Sequence, residues 1–230
     1  MSLYEKAWQA VHQRIAEAAR AAGRDPAGVR LLAVSKSMPA EAIRALHALG
    51  QRAFGENYVQ EAGAKMAALA DLPDIEWHLV GPLQGNKARP AAAQFAWIES
   101  IDRLAIAERL SATRDAQQRP LDVCVQVNIS AETTKSGVAP GDAPALARAV
   151  GSLPRLKLRG FMGIAAPTVD IARQRAQFRL LREMLAAARA EGLMLDTLSM
   201  GMSADLEAAI AEGATLVRIG SALFGPRPPG

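Results

Sequence analysis

Cysteine is nearly absent: Cys124 is the one such residue among 230, so an intrachain disulfide and a cysteine-rich zinc site are both excluded. Its setting, Asp-Val-Cys-Val-Gln-Val, reads as a buried strand. Histidine is scarce as well, and His12, His47 and His78 stand too far apart to make a recognisable metal motif. Aromatic residues are 4% of the chain, too few for the stacking platforms that single-stranded nucleic acid needs. Neither charge forms a tract: 27 Lys and Arg are interleaved with 23 Asp and Glu. No nucleic-acid partner is therefore expected, despite a sequence pI near 9.6. No stretch approaches the length of a membrane span, and the first residues, Met1-Ser-Leu-Tyr-Glu-Lys, carry charge early and lack an apolar signal core. These absences lead us to expect a cytoplasmic protein with no membrane partner.

What is present is an ordinary globular mixture, half hydrophobic and 22% charged. A chain of this length buries roughly 70% of its unfolded surface and needs no covalent staple. Residues 3–22 carry apolar side chains at helical spacing (Leu3, Trp8, Val11, Ile15, Ala19) before Gly23. A repeat follows: short apolar strand, polar or glycine-containing turn, amphipathic helix. Eight strands are expected near 30–35, 52–55, 76–81, 95–100, 121–129, 156–164, 196–201 and 215–219. Helical patterns lie between them near 39–49, 57–70, 85–92, 103–117, 142–151, 170–191 and 203–212. Strand–helix alternation implies parallel strands with right-handed crossovers. Eight units favour a closed α/β (β/α)8 TIM barrel with an extra N-terminal helix. No composition break marks a linker, so residues 1–230 are expected to form one domain ending in a Pro-rich tail at 226–230.

Barrels of this kind carry their reactive groups at the C-terminal ends of the strands. Strand one ends in Ser35-Lys36, and no acidic residue lies within several positions of Lys36. Desolvation there would lower the ammonium pKa and free a neutral amine for imine formation. The plain alternative is a strand-terminal lysine whose head reaches water. Near the other end of the chain, Gly220 permits close backbone approach and Ser221 offers a hydroxyl and an amide, as a phosphate would require. Ser203, ahead of Ala-Asp-Leu-Glu-Ala-Ala-Ile, reads as a helix N-cap whose turn adds donors. Taken singly, each is equally a cap or a tight turn. Together they suggest a phosphorylated aldehyde held at both ends.

These motifs carry a resemblance. Ala33-Val-Ser-Lys36, Phe54-Gly-Glu-Asn-Tyr-Val-Gln-Glu61, Trp77-His-Leu-Val-Gly-Pro-Leu-Gln84 with Asn86-Lys87, Val127-Asn-Ile129 with Lys135-Ser-Gly137, and Leu198-Ser-Met-Gly-Met-Ser203 with Arg218-Ile-Gly220 and Phe224-Gly225 occur in order from about residue 30 to 227. The pattern resembles the pyridoxal phosphate homeostasis protein family. The resemblance implies a barrel similar to the N-terminal domain of alanine racemase, binding pyridoxal 5′-phosphate (PLP) and acting in vitamin B6 and amino-acid homeostasis. By position it implies that Lys36 forms a Schiff base, that Ser203, Gly220 and Ser221 cradle the phosphate, and that Arg218 faces the pyridine nitrogen. Many members have Thr in place of Ser221 and Ser in place of Gly85. The first difference keeps the hydroxyl, and the second falls in a loop with no assigned role.

An arginine cannot give its proton to the pyridine, and an unprotonated pyridine is a poor electron sink. The racemase also uses a tyrosine opposite its lysine, whereas only Tyr4 and Tyr58 exist here. Tyr58 is expected to pack against the barrel. Efficient catalysis is therefore not expected, with weak racemisation of amino acids as the alternative. His78 is expected near the cofactor, Asn57 at its phenolic oxygen or as the cap of the second barrel helix, and Met200 near the ring. Glu56, Lys87 and Asn128 would line the same rim. PLP-dependent apoenzymes are the expected recipients of the cofactor, and the chain is expected to be a monomer or a weak dimer.

Overall fold

In the computed structural model, residues 2–130 and 136–225 are described. The expected Pro-rich tail at 226–230 and Lys135 of the Lys135-Ser-Gly137 motif lie outside the described residues. The chain opens with α1 (Leu3–Ala21). Its N-terminus is a capping box: Ser2 Oγ accepts from Glu5 N at 3.1 Å, and Glu5 Oε2 accepts from Ser2 N at 3.2 Å. Val11, Ile15 and Ala19 form its buried stripe.

Eight strands follow: β1 (Arg30–Val34), β2 (Ala53–Glu56), β3 (Glu76–Leu79), β4 (Trp97–Ile101), β5 (Leu121–Val127), β6 (Leu156–Gly163), β7 (Thr197–Ser199) and β8 (Leu216–Ile219). Each pairs in parallel with its sequence neighbour, and β1 pairs with β8 to close the barrel. All eight expected strands are present, most with shorter ends. The main helices between them are α2 (Ala40–Ala48), α3 (Val59–Ala68), α4 (Ala88–Gln94), α5 (Leu104–Thr113), α6 (Ala143–Gly151), α7 (Ile171–Ala190) and α8 (Leu206–Ala211). A single turn, α9 (Ser221–Phe224), follows β8.

Two expected caps are corrected. Residue 205, not Ser203, holds the N-cap position of α8, and Asp205 Oδ1 accepts from Met202 N at 2.6 Å. Likewise α3 starts after Tyr58, so Asn57 is not its cap. In each case the chain needs extra residues to turn from the barrel rim onto its outer surface.

Strand alternation sorts side chains to the two faces of the barrel wall. Leu31, Ala33, Phe54, Leu79, Ile98, Val123, Val125, Leu198 and Val217 join the core shared with the helices. Inside the barrel lie two small apolar clusters, Leu32 with Ala53 and Leu216, and Trp97 with Cys124 and Met162. Cys124 is fully buried, and burial pushes its thiol well above the usual cysteine range. Beside these clusters the interior holds the buried polar residues His78, Glu99, Ser199 and Arg218, which lie beneath or at the site.

Between β5 and β6 the register shifts, so that Val123 faces Leu158 while Cys124 faces Gly160. Arg159 is the extra residue, as in a β-bulge. At Gly160 the backbone of β7 crosses so closely that an added Cβ would sit 1.9 Å from Thr197 O. Gly160→Ala should therefore cost about 3 kcal/mol of stability, read from the midpoint of urea unfolding at unchanged slope. An unchanged midpoint would contradict this packing.

Candidate functional site

The C-terminal ends of the strands open into a cavity of about 920 Å³, a size that suits a small-molecule ligand. Six of the expected site residues line it: Lys36, Asn57, Ser203, Arg218, Gly220 and Ser221. Lys36 and Arg218 are its charged side chains among the described residues, and no described carboxylate lines it.

Two expected residues are not in that lining. Met200 is fully buried in the core outside the barrel, because strand alternation turns it away from Ser199, its inward neighbour. Met202, two residues on, takes the apolar position at the cavity. His78 does face inward, but one layer deeper. Its ring stacks on Trp97 with centroids 5.1 Å apart. Its nitrogens lie 2.6 Å from Glu99 Oε1 and 2.9 Å from Glu76 Oε1.

Lys36 leaves β1 on a backbone held from one side by α3. Ser37 adopts φ +62°, a left-handed conformation unusual for serine, and its N–H donates to Glu61 Oε1 at 2.6 Å. Lys65 Nζ donates to Ser35 O at 2.8 Å, to both oxygens of Glu56 at 2.8 and 2.9 Å, and to Glu61 Oε1 at 2.7 Å. The residues flanking Lys36 are thus tied to one buried ammonium and its two carboxylates. Burial pushes the Glu56 carboxyl up by more than Lys65 and Ser35 pull it down. Glu61 is also raised by burial, but Lys65, the Ser37 amide and Lys36 outweigh this and hold it below the usual range. Glu56 is accordingly no rim residue: it points outward beneath α3 and is fully buried.

On β8, Arg218 is 5% exposed. Its Nη1 donates to Ser199 O at 2.6 Å and to Ser199 Oγ at 2.7 Å, and its Nη2 donates to Gly163 O at 2.8 Å. A guanidinium has five N–H donors; these bonds use three, so Arg218 lines the cavity with Nε–H and one Nη2–H to spare. Ser221 Oγ donates to Ser203 Oγ at 3.3 Å, bringing the two hydroxyls together. The N-terminal helix steadies this corner, since Arg14 Nη2 donates to Ser203 O at 3.2 Å and pairs with Glu207 at 2.7 Å. Close approach explains Gly220, where a Cβ would meet Val34 O at 3.2 Å.

Further residues depart from expectation. Tyr58 does not pack on the barrel; it is 63% exposed at the start of α3. Lys87 and Asn128 are absent from the cavity lining, and Asn128 Oδ1 accepts from Ser130 Oγ at 2.9 Å. Ser199, inside the Leu198–Ser203 motif but given no role by it, holds Arg218 from below, and Glu99, outside every motif, holds Ser199. The available signal was a carboxylate in the middle of the short strand Trp97-Ile-Glu-Ser-Ile101, between Ile98 and Ser100. These residues suit a group with an aldehyde, a ring nitrogen that accepts a hydrogen bond, and a phosphate. Lys36 would meet the first, the spare Arg218 donors the second, and the Ser203, Gly220 and Ser221 corner the third.

Replacing Lys65 by Met leaves Glu56 buried without its cation and should cost about 3 kcal/mol near neutral pH. Because a raised carboxyl pKa penalises the ionised form, the deficit should grow as pH rises and shrink on acidification, when Glu56 takes up a proton. Urea unfolding of the variant at several pH values reads this; a pH-independent deficit would contradict it.

The family described as "Alanine racemase, N-terminal domain" matches residues 8–228. A Pseudomonas aeruginosa protein named Pyridoxal phosphate homeostasis protein is 62% identical over 217 residues, covering 94% of this chain and 93% of the relative. Its Escherichia coli namesake is 48% identical over 219 residues, 94% of each chain. Among solved structures, PipY of Synechococcus elongatus with PLP bound is 44% identical. It covers 92% of this chain and 100% of its own, with a TM-score of 0.81. With the barrel, its cavity and the order of its motifs all in agreement, the chain belongs to the alanine racemase N-terminal domain family, among the relatives named pyridoxal phosphate homeostasis proteins.

Proposed function

We propose that this chain binds PLP in the cavity above the barrel and serves in the homeostasis of PLP, vitamin B6 and amino acids as a carrier rather than an efficient catalyst. The observation that carries this reading is a cavity of about 920 Å³ whose described charged side chains are one lysine and one arginine, with no carboxylate to repel a phosphate. The PLP-bound PipY structure and the names of the relatives support it. When bound, PLP would supply an aldehyde, and Lys36 would be the amine positioned to condense with it reversibly, with loss of water. Arg218 gives hydrogen bonds and keeps its proton, which leaves the ring nitrogen unprotonated and a weak electron sink.

A racemase needs an acid and a base on opposite faces of its substrate. The described cavity residues include one amine, Lys36, and no carboxylate, histidine or tyrosine to oppose it. Tyr4 meets Phe224 edge to face, and Tyr58 lies exposed on the outside. Both positions favour binding over catalysis. The half-exposed Lys36 and exposed Ser221 leave bound cofactor within reach of an accepting PLP-dependent apoenzyme. Among the described residues, no helix is long and apolar enough to cross a membrane. We take residues 1–230 to act as one PLP-binding domain in the cytoplasm, as a monomer or weak dimer.

Mixing the protein with PLP should give a visible absorbance band that Lys36→Ala abolishes; a colourless wild type, or a variant that keeps the band, would sink the reading. Ser203→Ala with Ser221→Ala should weaken PLP about tenfold while changing affinity for unphosphorylated pyridoxal little. Exchange of an amino acid's α-proton with solvent should not exceed that given by free PLP, as proton NMR in deuterated water would show. Faster exchange dependent on Lys36 would favour the racemase alternative.

A further inference from the structure

Beneath the cavity, a row of polar groups runs through the barrel interior from the opposite mouth. Arg30 Nη2 donates to Glu76 Oε1 at 2.6 Å, and the same oxygen lies 2.9 Å from His78 Nε2. His78 Nδ1 lies 2.6 Å from Glu99 Oε1, and Glu99 Oε2 accepts from Ser199 Oγ. Ser199 Oγ in turn accepts from Arg218 Nη1. The bond from Glu99 on β4 to Ser199 on β7 crosses the barrel between strands that are not neighbours.

The bonding fixes the charges. Burial raises the Glu76 carboxyl, but His78 and Arg30 outweigh it and hold the group at about 2. Glu99, also raised by burial, is brought below its ordinary range by His78, Arg218 and Ser199. Ionised carboxylates only accept, so a ring with a carboxylate at each nitrogen donates from both and is an imidazolium. Burial alone would pull His78 down; the two carboxylates more than offset it. The row therefore alternates in sign: Arg30 positive, Glu76 negative, His78 positive, Glu99 negative, Arg218 positive. Other ionisable groups also face it. Cys124 stays a neutral thiol, Arg159 lies 4.7 Å over Trp97, and Asp205 adds negative potential near Arg218.

Stability does not account for this arrangement. Buried ion pairs can often be replaced by apolar side chains of similar volume at no cost, and the neighbouring interior layers of Leu32, Ala53, Cys124 and Met162 are apolar. What the row does provide is a guanidinium that cannot swing. Two acceptors hold Arg218 Nη1 and one holds Nη2, so the orientation of its remaining donors is set before a ligand enters the cavity that Arg218 lines, without an ordering cost on binding.

We propose that Glu99 and Ser199, backed by His78, are positioning residues for Arg218 and set how tightly the cavity holds the ring nitrogen of PLP. This deepens the cofactor reading and rests on it.

The test compares PLP with 1-deaza-PLP, in which CH replaces the ring nitrogen, by absorbance titration of the full chain. Glu99→Gln and Ser199→Ala should each weaken PLP about tenfold yet change the 1-deaza analogue less than about twofold. Equal losses for both ligands would assign these residues a general structural role, and no loss for PLP would leave them without one; either result overturns the proposal. Should Glu99→Gln fail to fold, Ser199→Ala, which removes a single oxygen, decides alone. In the ligand-free protein, nitrogen NMR should show His78 with both ring nitrogens protonated at neutral pH, and a neutral His78 would overturn the charge assignment. Failure of the cofactor reading itself looks different: the wild type then develops no visible band with PLP.

Discussion

The hydrogen bonds that join β1 to β8 are what create the site. Arg30 to Ala33 pair with Leu216 to Ile219, and this last ladder turns an open sheet into a barrel. Through it Lys36, just past one strand, comes to share a cavity with Arg218, Gly220 and Ser221, more than 180 positions later in the chain. Gly220 shows how close the seam is, since even a methyl group there would press on Val34 O. The outer face of the wall, packed with Leu31, Phe54, Ile98 and Val217 against the helices, holds the closure in place.

Closure also creates an interior that must be filled. Apolar side chains fill two clusters, and beside them a row of charged groups runs from the opposite mouth up to Arg218 at the cavity, with Glu99 and Arg218 joined through Ser199. Lys36 is treated differently from Arg218. In the proposed role the lysine meets the ligand; its backbone is braced from outside the wall by Lys65, Glu56 and Glu61, and its side chain lines the cavity. The arginine must keep its direction, so its head is bonded from within. Both solutions place carboxylates near a functional cation without exposing one to the cavity, which keeps the pocket favourable to a phosphate.

Much of this was legible in the residues. The eight strands follow from short apolar runs separated by helical periodicity, and the rule that barrel chemistry sits at strand C-termini picked out Lys36, Arg218 and Gly220. Errors arose where direction mattered more than position. Met200 and Ser199 are adjacent, yet alternation sends one into the outer core and the other inward to Arg218. His78 faces the right way but lies a layer too deep, where Glu76 and Glu99 occupy both its nitrogens. Tyr58 reads as a packing residue by its aromatic character, yet the chain leaves β2 through Asn57 and turns it to solvent.

Local order, then, is written in the sequence itself: strand and helix alternation, the capping box of α1, the single cysteine that excludes an intrachain disulfide, and the motifs that mark the family. These depend on neighbours a few residues apart and on composition. The tertiary structure alone decided which polar side chains meet. Glu99 and Ser199 are 100 positions apart and Arg14 and Glu207 are 193 apart, and such pairs form only after the barrel closes. Their chemistry was visible as isolated residue types, but a charge row exists only where distance and burial make each group the partner of the next.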